Sequence, residues 1–505
     1  MKSVKKHLIT VKVAPISVSA FLSEQITERI LNSINLNDYQ LVLLPGFIQW
    51  DTSGLEKKYF INIRKGPEFA SDIPIIINNL EEITLSNTIP ANKLYEQSGI
   101  QHYHNAVDEL INQVKNQMGP SIFYINKERS DIIIGGSLPP PIIAEIVNCT
   151  QKNDANILKK AKHYLDSGAS IIDIGCVSNK PNPSRVKEII RLLRQNFNTL
   201  ISVDSMESSE ILAAAEVGVD LVLSVDISNY KDLLTLPKDL TLVILPTNVK
   251  KGYFPKDPTE RVNNLLELTK ILRKLGFTKL IADPLLETPI APGTCKSLET
   301  YFLYKKTIKT KKYSELEAPL FFGVSNVVEL MDIDSIGING LLASIAIEMG
   351  ISILFTVEHS AKTMRGVREL KEGIKLCFLS KIKKVPPINL GIQYFQAKGK
   401  INPEIPEILE KKSIFVNQPL PDYIPDKKGY FKIYVNHYSN YIIVLFYSNQ
   451  HELMASFVGE KAEIISKKII ELNLTNDIFH INYLGRELMK AEMCLLSGKP
   501  YLQDE

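Results

Sequence analysis

The sequence predicts an α/β protein with a central (β/α)8 TIM barrel, flanked by a small N-terminal α/β domain and a C-terminal α+β domain. Three observations carry the barrel. Eight short apolar runs recur at residues 141–150, 170–178, 200–205, 220–226, 240–247, 279–286, 319–326 and 351–360. Amphipathic helical stretches separate them, and short continuous apolar runs suit strands buried on both faces. Most runs end in acid, amide or hydroxyl residues, and a barrel of this kind does its chemistry at the C-terminal strand ends.

The flanking elements follow in order. Before the barrel, strand-like runs occur at 8–13, 40–44, 60–63, 122–125 and 131–134, with helical patterns at 21–35 and 106–117. Leu44-Pro45-Gly46 and Lys65-Gly66-Pro67 punctuate the chain and read as turns, with a ligand loop as the other reading. A Gly pair followed by three prolines at 135–141 cannot continue a helix or a central strand, so a boundary is expected there. The expected divisions are 1–137, a barrel at 138–385, a Pro-rich linker at 386–425 and a last domain at 426–505. In the last domain, 430–438 and 441–447 read as a hairpin, 454–458 as a third strand, and 461–472 and 484–496 as helices. Leu484, Leu488, Ala491 and Leu495 form an apolar stripe for packing on that sheet. The domain reads as a lid or a homodimer contact.

Bulk properties exclude several classes. A chain of 505 residues, 45% hydrophobic, can bury a large core in more than one domain. A net charge of +3 is too mild to argue for a nucleic-acid partner. The lysines of 305–312 read as a solvated helix face. Five scattered cysteines without a CxxC pair fit a reducing compartment. No apolar stretch is long enough to span a bilayer, so a cytoplasmic protein without membrane partners is expected.

The strand ends carry Asn148, Asp173, Ser178, Asp204-Ser205, Ser224, Asp226, Asn248, Asp283, Ser325-Asn326 and His359. Barrel stability does not need these groups, and a buried carboxylate is costly without a partner. A carboxylate accepts two parallel hydrogen bonds from an amino-pyrimidine edge, so a polar heterocycle is a natural ligand. Each residue taken singly also suits a helix cap.

At these positions the chain resembles the pterin-binding barrel superfamily, which contains dihydropteroate synthase and the corrinoid-linked, pterin-dependent methyltransferases. The carrying motifs are Asn148-Cys149-Thr150, Asp173-Ile174-Gly175, Val203-Asp204-Ser205, Ala282-Asp283-Pro284 and Gly323-Val324-Ser325, in order on successive strands. The three-part layout, with a Pro-Gly turn and a Lys-Gly-Pro loop in front and Tyr483 to Leu488 followed by Lys490-Ala491-Glu492 near the end, is similar to archaeal dihydropteroate synthase-related proteins.

The resemblance implies that Asp204 and Asp283 read a reduced pterin and that Asn148 helps to hold Mg²⁺ and diphosphate. It further implies that Asp173, Ser178, Ser224, Ser325 and Asn326 line the ligand, and that Lys180 and His359 serve catalysis at the phosphate or arylamine. The chain departs from the synthases at Leu223, Asn326, Val327 and Val357, where they carry an Asn, Arg-Lys and Arg. Lys362 and Arg365 are the nearby cations available to compensate. The leading expectation is condensation of a hydroxymethyl-dihydropterin diphosphate with an arylamine in folate or tetrahydromethanopterin biosynthesis. The alternatives are a methyltransferase working with a separate corrinoid protein, and a pterin-binding protein without turnover.

Overall fold

The computed structural model describes residues 7–16, 18–392, 394 and 426–504. The expected linker at 386–425 lies outside the described residues from 395 onward. Eight parallel strands form the central sheet: β1 (Ile142–Ile146), β2 (Ile171–Gly175), β3 (Leu200–Asp204), β4 (Leu221–Val225), β5 (Thr241–Ile244), β6 (Leu280–Ala282), β7 (Phe321–Gly323) and β8 (Ile353–Val357). Neighbours pair in sequence order, and β8 returns to β1 with Val357 opposite Glu145. A parallel bridge from Ala282 to Leu320 joins β6 to the start of β7 and closes the barrel.

Helices α1 (Asp154–Ser167), α2 (Pro183–Asn196), α3 (Ser208–Glu216), α4 (Pro258–Lys274), α5 (Thr294–Ile308), α6 (Ser335–Met349) and α7 (Gly366–Lys383) follow the strands. Their ends obey local chemistry. Asn153 Oδ1 caps α1 through Asn156 N at 2.9 Å, and Gly168 ends it at φ +108°. After β4 only a 3-10 turn, Tyr230–Leu233, takes the helix position. Asn229 explains it: its Oδ1 accepts from Asp226 N and its Nδ2 donates to Ser224 O, bonds that tie the loop back to the strand.

Alternate side chains of each strand face the barrel interior. In the lower half they are apolar, among them Ile143, Ile171, Leu200, Leu221, Val243 and Ile353. The sequence alone assigns 122–125 and 131–134 to the front domain. Instead, the hairpin of Ile122–Tyr124 and Ile133–Gly135 brings Phe123, Ile125 and Ile134 into that same apolar cluster. Thr241 Oγ1 and Lys279 Nζ donate to Ile125 O at 3.1 and 3.2 Å, and Asn126 Nδ2 donates to Asp220 at 2.8 Å. All three donors or acceptors lie at strand beginnings, so the hairpin plugs the N-terminal end. Apolar burial decides its place.

The described residues form two compact units, one of 7–109 with 375–394 and one of 110–374 with 426–504. In the first, Leu41–Leu44 and Asn62–Lys65 pair in parallel. The two turns foreseen from Pro and Gly interlock. A Cβ on Gly46 would lie 2.6 Å from Glu68 N and 2.7 Å from Gly66 O, so only glycine fits. Residues 8–13, expected as a strand, form no regular element, since no described strand pairs with them. The helix expected at 106–117 is the end of a longer one, Ala91–Val114.

In the second unit the last section forms an antiparallel meander, β9 (Tyr430–Asn436), β10 (Tyr441–Tyr447) and β11 (Leu453–Gly459). Helices α8 (Ala462–Glu471) and α9 (Ile478–Ser497) cover one of its faces. The stripe of Leu484, Leu488, Ala491 and Leu495 packs on Phe431, Val444 and Phe446, as its spacing requires. Tyr438 sits edge-on to His163 at 5.3 Å and holds Lys160 Nζ 4.8 Å from its ring centroid, which docks the meander on α1. Among the described residues no helix is long and apolar enough to cross a membrane.

Candidate functional site

The upper half of the barrel interior is acidic. Glu145, Asp173 and Ser202 stand side by side on β1, β2 and β3, and Asp204 follows one inward position higher, opposite Gly175. One oxygen from each of Glu145, Asp173 and Asp204 lies within 4.8 Å of the others. Ser202 Oγ donates to Asp173 Oδ1 at 2.5 Å, while Asp173 Oδ2 is buried without a hydrogen-bond partner. Burial, then the charge of Asp204, pushes the Glu145 carboxyl up to about 8. Burial raises Asp173 well above the carboxylate range, with Asp204 and Glu145 adding to it, and burial lifts Asp204 as well.

Sequence reasoning missed Glu145. Its signal was present: a single charged residue in the apolar run Ile142-Ile143-Ala144-Glu145-Ile146, with the same parity as the inward Ile143. Only the β1–β2 register shows that it faces Asp173.

Asp283 follows β6. Its Oδ1 accepts from Leu285 N at 2.8 Å and Tyr301 OH at 3.4 Å. Burial pushes its carboxyl up to about 7, although those two bonds and Arg261 pull it down. Arg261 on α4 is wholly buried and holds the turn after Asp283: Nε donates to Pro255 O at 2.7 Å, Nη1 to Leu285 O at 3.1 Å, and Nη2 pairs with Glu287.

Several strand-end groups do serve as caps or ties. Ser205 Oγ donates to Glu210 Oε2 at 2.6 Å and accepts from Glu207 N. Asp226 accepts from Ser228 N, Thr247 Oγ1 and Val249 N. Asn248 caps its own turn through Lys251 N. Asn326 Nδ2 donates to Leu286 O at 3.0 Å, fastening β7 to the loop after β6. Ser224 and Ser325 are buried at the ends of β4 and β7. By contrast, the carboxyls of Glu145 and Asp204 hydrogen-bond to no described residue.

Around the mouth, Asn148, Ser178, Lys180 and His359 are exposed. They follow β1, β2 and β8, which are neighbours in the order β8-β1-β2. Asn148 takes φ +51°, and Lys180 follows Asn179 at φ +60°, so tight turns set both side chains at the rim. The two compensating cations expected from the sequence are engaged elsewhere. Arg365 is buried and donates through Nη1 to Leu495 O of α9, so it fastens the last domain to the barrel. Lys362 pairs with Asp332 at 3.0 Å. Of the cations singled out, Lys180 and His359 remain without an ion pair among the described residues.

The buried acids predict how stability responds to pH. Asp283 is raised from 3.8 to about 7 and Glu369, which accepts from Ser335 and Asn339, from 4.5 to about 7, both chiefly by burial. Between those limits the folded chain holds protons that the unfolded chain has lost, so stability falls as pH rises. The thermal midpoint should be lower at pH 8 than at pH 5.5, and Asp283→Asn should reduce the difference. A midpoint that rises over this range would refute the assignment.

A closed parallel barrel with carboxyls at its C-terminal mouth presents a site for a small molecule. A family model described as "Pterin binding enzyme" matches residues 147–354, and a second, "PterinBD-DUF4346", matches residues 425–504. An uncharacterized protein of Methanocaldococcus jannaschii is 34% identical over 99% of this chain and 95% of its own length. Dihydropteroate synthase of Haemophilus influenzae is 36% identical over 13% of this chain and 27% of its own. Among solved structures, dihydropteroate synthase of Yersinia pestis with a pterine-sulfa conjugate is 18% identical, covering 52% of this chain and 99% of that one at a TM-score of 0.40. The chain belongs to one family with the Methanocaldococcus jannaschii protein, and its barrel carries the pterin-binding enzyme model over residues 147–354.

Proposed function

We propose that this protein condenses a hydroxymethyl-dihydropterin diphosphate with an arylamine, as a step of folate or tetrahydromethanopterin biosynthesis. The supporting observation is the division of the mouth into two chemistries. Carboxyls of Asp204 and Asp283 lie at the floor, and Asn148, Ser178, Lys180 and His359 lie on three neighbouring rim loops. The floor suits the N–H donors of a pterin ring and the rim suits an anion. In this reading the arylamine nitrogen attacks the methylene carbon on the pterin. The carbon–oxygen bond to the diphosphate breaks, the diphosphate leaves with the electron pair, and the amine proton passes to solvent or to His359. Lys180 takes up charge on the leaving group. The amide oxygen of Asn148, at the rim between Lys180 and His359, suits one place in the oxygen-rich shell of Mg²⁺, which would neutralise diphosphate charge there.

A second reading is supported by the commitment of Arg365 and Lys362 to other partners. Methyl transfer from a reduced pterin to a separate corrinoid protein needs no diphosphate subsite. One experiment separates the two. The protein is incubated with 6-hydroxymethyl-7,8-dihydropterin diphosphate, 4-aminobenzoate and Mg²⁺, and diphosphate release is followed. Release dependent on the arylamine supports condensation. Pterin binding without release, equal for the alcohol and its diphosphate, removes the condensation and leaves methyl transfer or simple binding.

A further inference from the structure

We propose that Glu145, Asp173 and Asp204 bind a divalent cation of the magnesium or manganese class inside the barrel, below the rim where Asn148 lies. The three acids come from adjacent strands and bring one oxygen each within 4.8 Å of the others. The cluster has a built shape. Glu145 reaches toward β3 because position 175 is glycine: a Cβ there would lie 2.0 Å from Glu145 Oε1.

Hydrogen bonding within the cluster is one-sided. Ser202 occupies Asp173 Oδ1, and Asp173 Oδ2, fully buried, has no partner. Neither oxygen of Glu145 or Asp204 bonds to a described group, and among the described residues no lysine, arginine or histidine forms an ion pair with any of the three. The other charge that raises the Glu145 carboxyl, Glu329, is also negative.

Several buried acids of the same unit have an arginine or histidine partner. Asp220 is paired with Arg194 and Arg129 and accepts from Ile201 N. Glu358 meets His163 Nε2 at 2.7 Å and Val367 N at 3.1 Å. Asp426 meets His480 and Thr475. Buried carboxylates are kept where something pairs with them. Of the trio only Asp173 is fully buried, and Ser202 is its one partner; in mutual contact the three carboxyls either keep protons or exchange them for a compact positive charge. A pterin edge is neutral and offers two parallel donors to one carboxylate, so it serves Asp204 or Asp283 and leaves Glu145 and Asp173 without a ligand partner. An all-oxygen donor set without histidine or thiolate selects a hard cation. The cation would also hold Asp204 ionised, the form that accepts hydrogen bonds from a ring N–H, so cation and pterin should strengthen each other's binding.

The site is defined without reference to the condensation, and its test needs no pterin. The full chain is stripped with chelator and titrated with Mn²⁺ at pH 8, free Mn²⁺ being read by electron paramagnetic resonance and Mg²⁺ competition by calorimetry. One saturable Mn²⁺ per chain is expected. Glu145→Gln and Asp173→Asn should each weaken it by about tenfold or more, the scale of losing a partner of a bound metal. Asn148→Ala should leave it unchanged. Both amide variants remove repulsion, so without metal they should melt at or above the parent, and a given Mg²⁺ concentration should raise the midpoint of the parent more than that of either variant. Absence of saturable binding, binding unaltered in both amide variants, or loss of the ion in Asn148→Ala would each overturn the proposal.

Discussion

Replacing Asp283 by alanine should lower affinity for 6-hydroxymethyl-7,8-dihydropterin about a hundredfold or more. A carboxylate taking two N–H bonds from a ring edge contributes roughly 1.5–3 kcal/mol per charge-assisted bond, and a buried site without its partner leaves ligand donors unpaired. The fold should survive, because Asp283 supports only Leu285 N and Tyr301 OH. Calorimetric titration of parent and variant decides the matter. Unchanged affinity in a normally folded variant would remove Asp283 from the site and with it the main support for the pterin reading.

The second large effect concerns Arg261, the largest fully buried side chain among the described residues. Its guanidinium bonds Pro255 O and Leu285 O and pairs with Glu287, so it joins α4 to the turn that carries Asp283. Arg261→Ala leaves buried carbonyls and a carboxylate without a partner and opens a cavity. The expected loss is about 3–5 kcal/mol of stability, with weaker ligand binding beside it. Chemical denaturation measures this. A loss below about 1 kcal/mol would mean that water or a neighbouring side chain replaces the guanidinium, and that Asp283 is held by the strand alone.

Arg261 and Asp283 also show where sequence reading stops. Asp283 was legible because it ends an apolar run in a barrel, and such ends face the mouth whatever the neighbours are. Arg261 was silent because a charged residue on an amphipathic helix ordinarily faces water. Its burial follows from the carbonyls of residues 255 and 285, which helix periodicity cannot report. Arg365 failed in the opposite direction. Next to a strand end it has the position of an anion-binding cation, yet the carbonyl of Leu495, 130 residues away, takes its guanidinium.

What the sequence determined by itself is the barrel, the meander with its helical stripe, and the acids Asp204 and Asp283 at strand ends. These follow from local periodicity, since strand parity decides facing and strand direction decides which end is the mouth. What only the tertiary structure decided is who meets whom across strands. Closure in register set Glu145 beside Asp173 and below Asp204, left Asp173 Oδ2 unpaired, sent the 122–135 hairpin into the N-terminal end of the barrel, and withdrew Arg365 and Lys362 from the site. Such partnerships depend on register and on elements far apart in the chain, and no local pattern encodes either.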